Sequence, residues 1–257
     1  MLISTTDLAK QLTNPNLIVI DTRSFKDYSH GHIPGSVNLD LFAYHWFDTT
    51  SNGIQIFNEQ TKQLLSFAGI TLGKKVVFYD DVSGMLAARG VWTLMYFSHQ
   101  NVWMLDGGIK KWKADGLEIE TKTNGFTPAT FDGVPNPEIL ADFDNVRQNI
   151  GKSVLIDARS KEEFNGMVIR GARHGHIPSA INIDYMTNIS DDGSIKDDKQ
   201  LAELYKFPKD SPIITYCQGA YRAANSFLAL KKLGFTKVRV YLGSWGEWSN
   251  RTELPIE

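Results

Sequence analysis

The chain repeats itself. Ile20-Asp21-Thr22-Arg23-Ser24 returns as Ile156-Asp157-Ala158-Arg159-Ser160, and the eleven residues from His30 to Asp40 return as His174 to Asp184. Eleven of these sixteen aligned positions are identical, where chance gives roughly one, so the chain is a tandem duplication. The match continues through Val76-Val77-Phe78-Tyr79 against Ile213-Ile214-Thr215-Tyr216, and through Gly107 and Trp112 against Gly243 and Trp248. A period near 136 residues is too long for a solenoid unit, so each copy must close around its own core. The length agrees, since 257 residues at about 150 per domain accommodate two small domains.

The expected boundaries are 1–122 for the first domain and 138–257 for the second. The intervening 123–137 reads as a linker, being rich in Pro, Gly and Thr without apolar periodicity. In the second copy Val154-Leu155-Ile156, Ile181-Asn182-Ile183, Ile213–Tyr216 and Val238–Tyr241 read as strands. Between them Asp198–Tyr205 and Arg222–Leu233 read as helices, the latter stopped by Gly234. Strands alternating with helices predict an α/β fold: two domains, each a mostly parallel sheet flanked by helices. Sites on such sheets sit beyond the carboxyl ends of the strands.

Composition narrows the chemistry. With 42% hydrophobic and 22% charged residues, the chain is neither disordered nor low-complexity. A net charge of −2 gives no basic field, so neither nucleic acid nor anionic lipid is an expected partner. No apolar run approaches the ~20 residues of a spanning helix. The first residues lack a basic region followed by an apolar core, so no signal peptide is expected and a cytoplasmic location is. One cysteine, Cys217, excludes an internal disulfide and a cysteine-pair zinc site. Nothing demands a dimer, and a monomer is expected.

Cys217 follows a strand and stands just before a helix, with Gln218, Gly219, Ala220 and Tyr221 between it and Arg222. So short a turn curls its backbone N–H groups round the sulfur, and the helix N-terminus adds partial positive charge, an environment that favours a thiolate. Arg222 closes the loop with a permanent charge. A lone cysteine is commonly an inert hydrophobe, but the first copy carries Asp80 where the second carries Cys217, so the fold itself does not call for sulfur there. Cysteine phosphatases place five residues between nucleophile and arginine. The four found here make a smaller cradle, suited to one extra sulfur atom.

These features together resemble the tandem-domain rhodanese family of thiosulfate and 3-mercaptopyruvate sulfurtransferases. The residues that carry the resemblance are the Asp-x-Arg strand end and Gly-His-Ile-Pro turn of each half, the loop Cys217-Gln218-Gly219-Ala220-Tyr221-Arg222, and the ending Gly243-Ser244-Trp245-Gly246-Glu247-Trp248. The resemblance implies a non-catalytic first domain and a catalytic second one. It also implies a double displacement in which Cys217 takes sulfur from a small donor, thiosulfate or 3-mercaptopyruvate, and passes it to cyanide, a thiol or a protein thiol. Neither metal nor organic cofactor is implied. Within that reading Cys217 and Arg222 are the catalytic candidates, and Gln218, Gly219, Ala220 and Tyr221 line the substrate. Thiosulfate is the expected donor, because the mercaptopyruvate branch has a small Gly-Ser/Thr-Gly-Val-Thr run after its cysteine.

The second copy also carries about eight extra residues between Phe164 and His174. They include Arg170 and Arg173, and either is a candidate for the donor's anionic group, with Arg173 preferred. Where many members have an arginine before the aromatic, this chain has Glu163. The histidine pairs His30/His32 and His174/His176 occur in both copies and are expected to be hydrogen-bonded turns rather than ligands. Asp157 is expected to hold Arg159, and Asp191-Asp192-Gly193 to be a solvated turn. Two rival functions remain: a persulfide carrier or redox-sensing module without turnover, and a phosphatase-like hydrolase, which the short loop disfavours.

Overall fold

Predominantly apolar strand runs such as Val76–Tyr79 and Ile213–Tyr216 are covered on both faces, as parallel strands require. The computed structural model describes all 257 residues. In the first repeat the elements are β1 (Leu2–Ile3), α1 (Thr5–Ala9), β2 (Leu17–Asp21), α2 (Phe25–Ser29), β3 (Val37–Asn38), α3 (Ser51–Phe67), β4 (Lys75–Tyr79), α4 (Met85–Tyr96), β5 (Val102–Leu105) and α5 (Gly108–Ala114). The second continues with β6 (Leu140–Ala141), α6 (Phe143–Asn149), β7 (Val154–Asp157), α7 (Lys161–Phe164), β8 (Ile181–Asn182), α8 (Asp198–Leu204), β9 (Ile213–Tyr216), α9 (Tyr221–Lys232), β10 (Val238–Tyr241) and α10 (Ser244–Trp248).

Each repeat forms one five-stranded sheet, ordered β1-β5-β4-β2-β3 and β6-β10-β9-β7-β8, and every pairing is parallel. The strands expected at 154–156, 213–216 and 238–241 are present, and the two helices start and stop within a residue of their expected ends. β4 and β9 are the central strands. Asp157 pairs in register with Tyr216, so Cys217 leaves the sheet at its carboxyl edge, where α/β sheets place their chemistry.

The duplicated signatures do structural work. Asp21 grips Arg23 with both oxygens and Arg23 reaches the Gly31 carbonyl at 2.9 Å; Asp157, Arg159 and Gly175 repeat the arrangement with 2.8 Å. Each buried ion pair thereby ties a strand end to its Gly-His-Ile-Pro turn. His32 stacks on Tyr28 and bonds its carbonyl, and His176 does the same with Phe164. Trp112 and Trp248 are buried in the two cores, and each indole N–H donates to a carbonyl of the segment that follows.

The compact units depart from the boundaries expected from the repeat. One comprises Met1–Tyr44, Phe57–Pro135 and Ile189–Ile195; the other comprises His45–Ile56, Asn136–Asn188 and Lys196–Glu257. Residues 123–135 have no helix or strand, and they are packed against the first unit. Phe131 is buried, Phe126 meets Phe67, Asn124 accepts no freedom because its N–H and side chain bond Tyr28 and Ser36, and Ala129 donates to Ser66. Low periodicity concealed these aromatic anchors. The turn at 189–195 is likewise held, through Ser83 to the Gly193 carbonyl and Ile195 to Asp106.

Candidate active site

The loop after β9 is stitched to the start of α10. Cys217 and Ala220 both donate their backbone N–H to Ser244 Oγ, at 3.2 and 3.0 Å, and Ser244 donates to the Tyr241 carbonyl at 2.8 Å. The Cys217 and Gln218 carbonyls accept from Trp245 and Gly246, each at 2.9 Å. To close this turn Ala220 takes a left-handed conformation, φ 67°, which costs a non-glycine residue of order 1 kcal/mol or more and persists because those hydrogen bonds fix it. The same two backbone bonds recur in the first repeat, from Ile109 to Asp80 and from Lys110 to Asp81.

The first repeat shows what this loop is built to hold. Asp80, at the position of Cys217, receives the N–H groups of Gly84, Leu86 and Ala87 at 3.0, 3.0 and 3.2 Å. Four to seven residues past Asp80, amides from the loop and the first turn of α4 thus converge on one carboxyl group. In α9 the first ladder bond is from Ala224 to Ala220, so the N–H groups of Arg222 and Ala223 precede it at the equivalent turn. Cys217 is only 1% exposed.

Burial pushes the Asp80 carboxyl up to about 6, against the pull of its three amides. A group whose folded pKa lies above its free value binds a proton more tightly when folded, so its stabilising effect is full below about pH 4 and is lost as pH rises through about 6. Comparing wild type with Asp80→Asn by urea denaturation from pH 4 to 7, the stability difference shifts against wild type by about 2 to 3 kcal/mol. A pH-independent difference rejects the assignment.

Arg222 lies beside Cys217, and its guanidinium is committed to a carboxylate. Its two terminal nitrogens meet Glu163 at 2.5 and 3.0 Å. Burial opposes the arginine's charge, but the Glu163 hydrogen bonds and the charges of Cys217 and Glu163 more than offset it and hold the pKa above the usual value. Burial likewise works to raise Glu163, and Arg222 outweighs it and keeps the carboxyl below its ordinary range. Arg170 Nε stands 3.3 Å from the same carboxylate with a side chain 62% exposed, while its carbonyl accepts from the Gln218 amide at 3.0 Å.

The structure separates the two arginines of the insertion. Arg173 donates to the carbonyls of Ser249, Leu254, Trp248 and Arg251 at 2.5 to 2.9 Å. A guanidinium that spends four donors on backbone is a clamp for the last turn of chain, which corrects the preference for Arg173 as the donor's partner. Arg173→Met is expected to lose about 2 to 4 kcal/mol of stability in denaturant melts; a loss under about 0.5 kcal/mol would reject the clamp.

Residues that spacing did not reveal complete the surroundings. Tyr221 is buried, and its ring lies 4.8 Å from that of His45. A Cβ on Gly219 would stand 2.8 Å from the His45 ring, and one on Gly246 would collide with Phe47. Both glycines are therefore required by close approach of residues 45–47, which belong to the same compact unit. Glu247 anchors that segment, accepting from the Thr49 N–H at 2.9 Å and the Thr49 hydroxyl at 2.5 Å. Ser244 could have been found by aligning the repeats, since Gly108 occupies its position in the copy that carries Asp80 in place of Cys217.

Comparison with known proteins agrees with this architecture. The rhodanese-like domain model matches twice, over residues 4–115 and 142–251. A thiosulfate sulfurtransferase of Pseudomonas aeruginosa is 30% identical over all of this chain and 97% of its own length, and the sulfur carrier protein TtuD of Thermus thermophilus is 32% identical over all of this chain and 96% of its own. The crystal structure of SseA from Escherichia coli, a 3-mercaptopyruvate sulfotransferase, superposes with a TM-score of 0.81 at 27% identity, covering 95% of this chain and 98% of that one. The fold and its duplicated motifs define a two-domain sulfurtransferase architecture. The chain belongs to the rhodanese-like family. No helix is long and apolar enough to cross a membrane.

Proposed function

We propose that the protein moves a sulfane sulfur from thiosulfate to cyanide or a thiol through a persulfide on Cys217. The observation that carries this reading is the position of Cys217: at the carboxyl end of the central strand, in a loop pinned by Ser244, beside Arg222, where the other repeat gathers three amides on a carboxylate. The Cys217 thiolate attacks the outer sulfur of the donor, the sulfur–sulfur bond breaks, and sulfite departs with the bonding pair. Cyanide or a thiolate then attacks the outer sulfur of the persulfide, and the Cys217 thiolate leaves. Neither step changes the electron count, and no cofactor takes part.

In this mechanism the N–H groups of Arg222 and Ala223 and the Arg222 guanidinium stabilise the anionic sulfur in both of its forms. Gln218, Gly219, Ala220 and Tyr221 shape the space around it, and the exposed Arg170 meets the donor's anionic group. Intact mass after incubation with thiosulfate tests the reading. A gain of one sulfur, reversed by a reductant, is expected, together with thiocyanate formation when cyanide is added; an unchanged mass overturns it. Parallel incubation with 3-mercaptopyruvate ranks the two donors. The name of the Thermus thermophilus relative favours a second reading, a sulfur carrier; it would load in the same way but turn over negligibly with cyanide.

A further inference from the structure

The cluster around Glu163 bears on which donors the site accepts. Glu163 is 3% exposed, and its oxygens are fully engaged. Oε2 accepts from Arg222 at 2.5 Å and from the Ser160 N–H at 3.2 Å; Oε1 accepts from Arg222 at 3.0 Å and lies 3.3 Å from Arg170. The bidentate fork that makes arginine a strong holder of carboxylates, sulfonates and phosphates is thus already filled from within the chain. Two arginines and one carboxylate leave a single net positive charge, and the only exposed part of it is Arg170.

We infer that Glu163 is a specificity-determining residue that withholds the Arg222 fork from doubly charged donors and so favours an alkyl persulfide, R–S–SH, over thiosulfate. This rests on the persulfide reading of Cys217 and revises only the ranking of donors: thiosulfate still loads Cys217, but at a higher KM than an alkyl persulfide. A dianion must displace a buried carboxylate or sit against its charge, whereas an alkyl persulfide has no sulfonate to be held. Its transfer balances: the Cys217 thiolate attacks the outer sulfur, the S–S bond breaks, R–S⁻ departs with the bonding pair, and the hydrogen stays on the transferred sulfur as Cys217–S–SH. Glu163 acts through Arg222 and is a positioning residue.

The test is steady-state kinetics of the full chain with thiosulfate and with 2-hydroxyethyl persulfide generated in situ, cyanide being the acceptor. Glu163→Gln removes the charge but keeps an oxygen for the Ser160 cap. It is expected to lower KM for thiosulfate about tenfold with kcat within threefold, and to leave KM for the persulfide within twofold. Glu163→Asp should keep the wild-type pattern. An unchanged or raised thiosulfate KM, or equal shifts for both donors, overturns the inference. Should Glu163→Gln fail to fold, wild type alone decides. Sulfate should inhibit loading no more tightly than methanesulfonate, and tenfold tighter inhibition by the dianion overturns the proposal. Failure of wild-type Cys217 to gain sulfur from either donor overturns the sulfurtransferase reading itself, and this inference with it.

Discussion

Cys217→Ser is expected to take up no sulfur from thiosulfate and to form thiocyanate at less than a thousandth of the wild-type rate. The chain has no other thiol, and a serine hydroxyl cannot hold a sulfane sulfur in exchange with sulfite, so no side route restores the double displacement. The substitution is nearly isosteric at a buried position, and unfolding in urea should show a loss of about 1 kcal/mol or less. Residual turnover well above that threshold in a folded Cys217→Ser protein would place the chemistry elsewhere.

Arg222→Met should cost both stability and activity. It strands Glu163, a carboxylate almost wholly out of water that keeps only the Ser160 N–H and the more distant Arg170. Removing one partner of a buried pair costs about 3 kcal/mol, while removing both is often nearly neutral. Arg222→Met combined with Glu163→Leu should therefore recover about 2 kcal/mol of the single variant's loss, a coupling that urea denaturation of the four proteins measures. Sulfur loading should fall at least a hundredfold in Arg222→Met and stay low in the double variant, because the charge beside the sulfur is absent from both. Additive stabilities would show that the pair is not coupled in this way.

Much of the fold was legible because its determinants are local and doubled. The apolar run before Cys217, the Gly234 stop after α9 and the paired Asp-x-Arg ends specify strand, helix and strand–turn junction without reference to distant residues. What escaped was set by partners far apart in sequence. Residues 45–56 join the compact unit of the second repeat through Thr49 and Glu247, 198 residues apart, and no spacing rule links them. Residues 123–135 looked like a connector because aromatic side chains at irregular intervals, Phe126 and Phe131, carry no period.

The site divided along the same line. The order from Cys217 to Arg222 marked a strand–turn–helix junction, but not that the Cys217 and Ala220 amides would be spent on Ser244. It did not say that Arg222 would be held by Glu163, although Ser160-Lys161-Glu162-Glu163 spells a helix cap that fixes where that carboxylate begins. Nor did proximity to the Gly-His-Ile-Pro turn predict the fate of Arg173. Its carbonyl partners lie 75 to 81 residues onward, and only the folded chain brings them within reach.

The carboxylate in the first repeat has an implication for how two copies of one loop can carry different side chains. A turn that aims several amides at one point is electrostatically incomplete when that point is empty, so a repeat without the cysteine must still supply an acceptor to those amides. Asp80 meets that demand from the same strand end. Side chains that accept several N–H groups at once are therefore the ones this strand end tolerates, and Asp80→Leu would leave three amides without a partner.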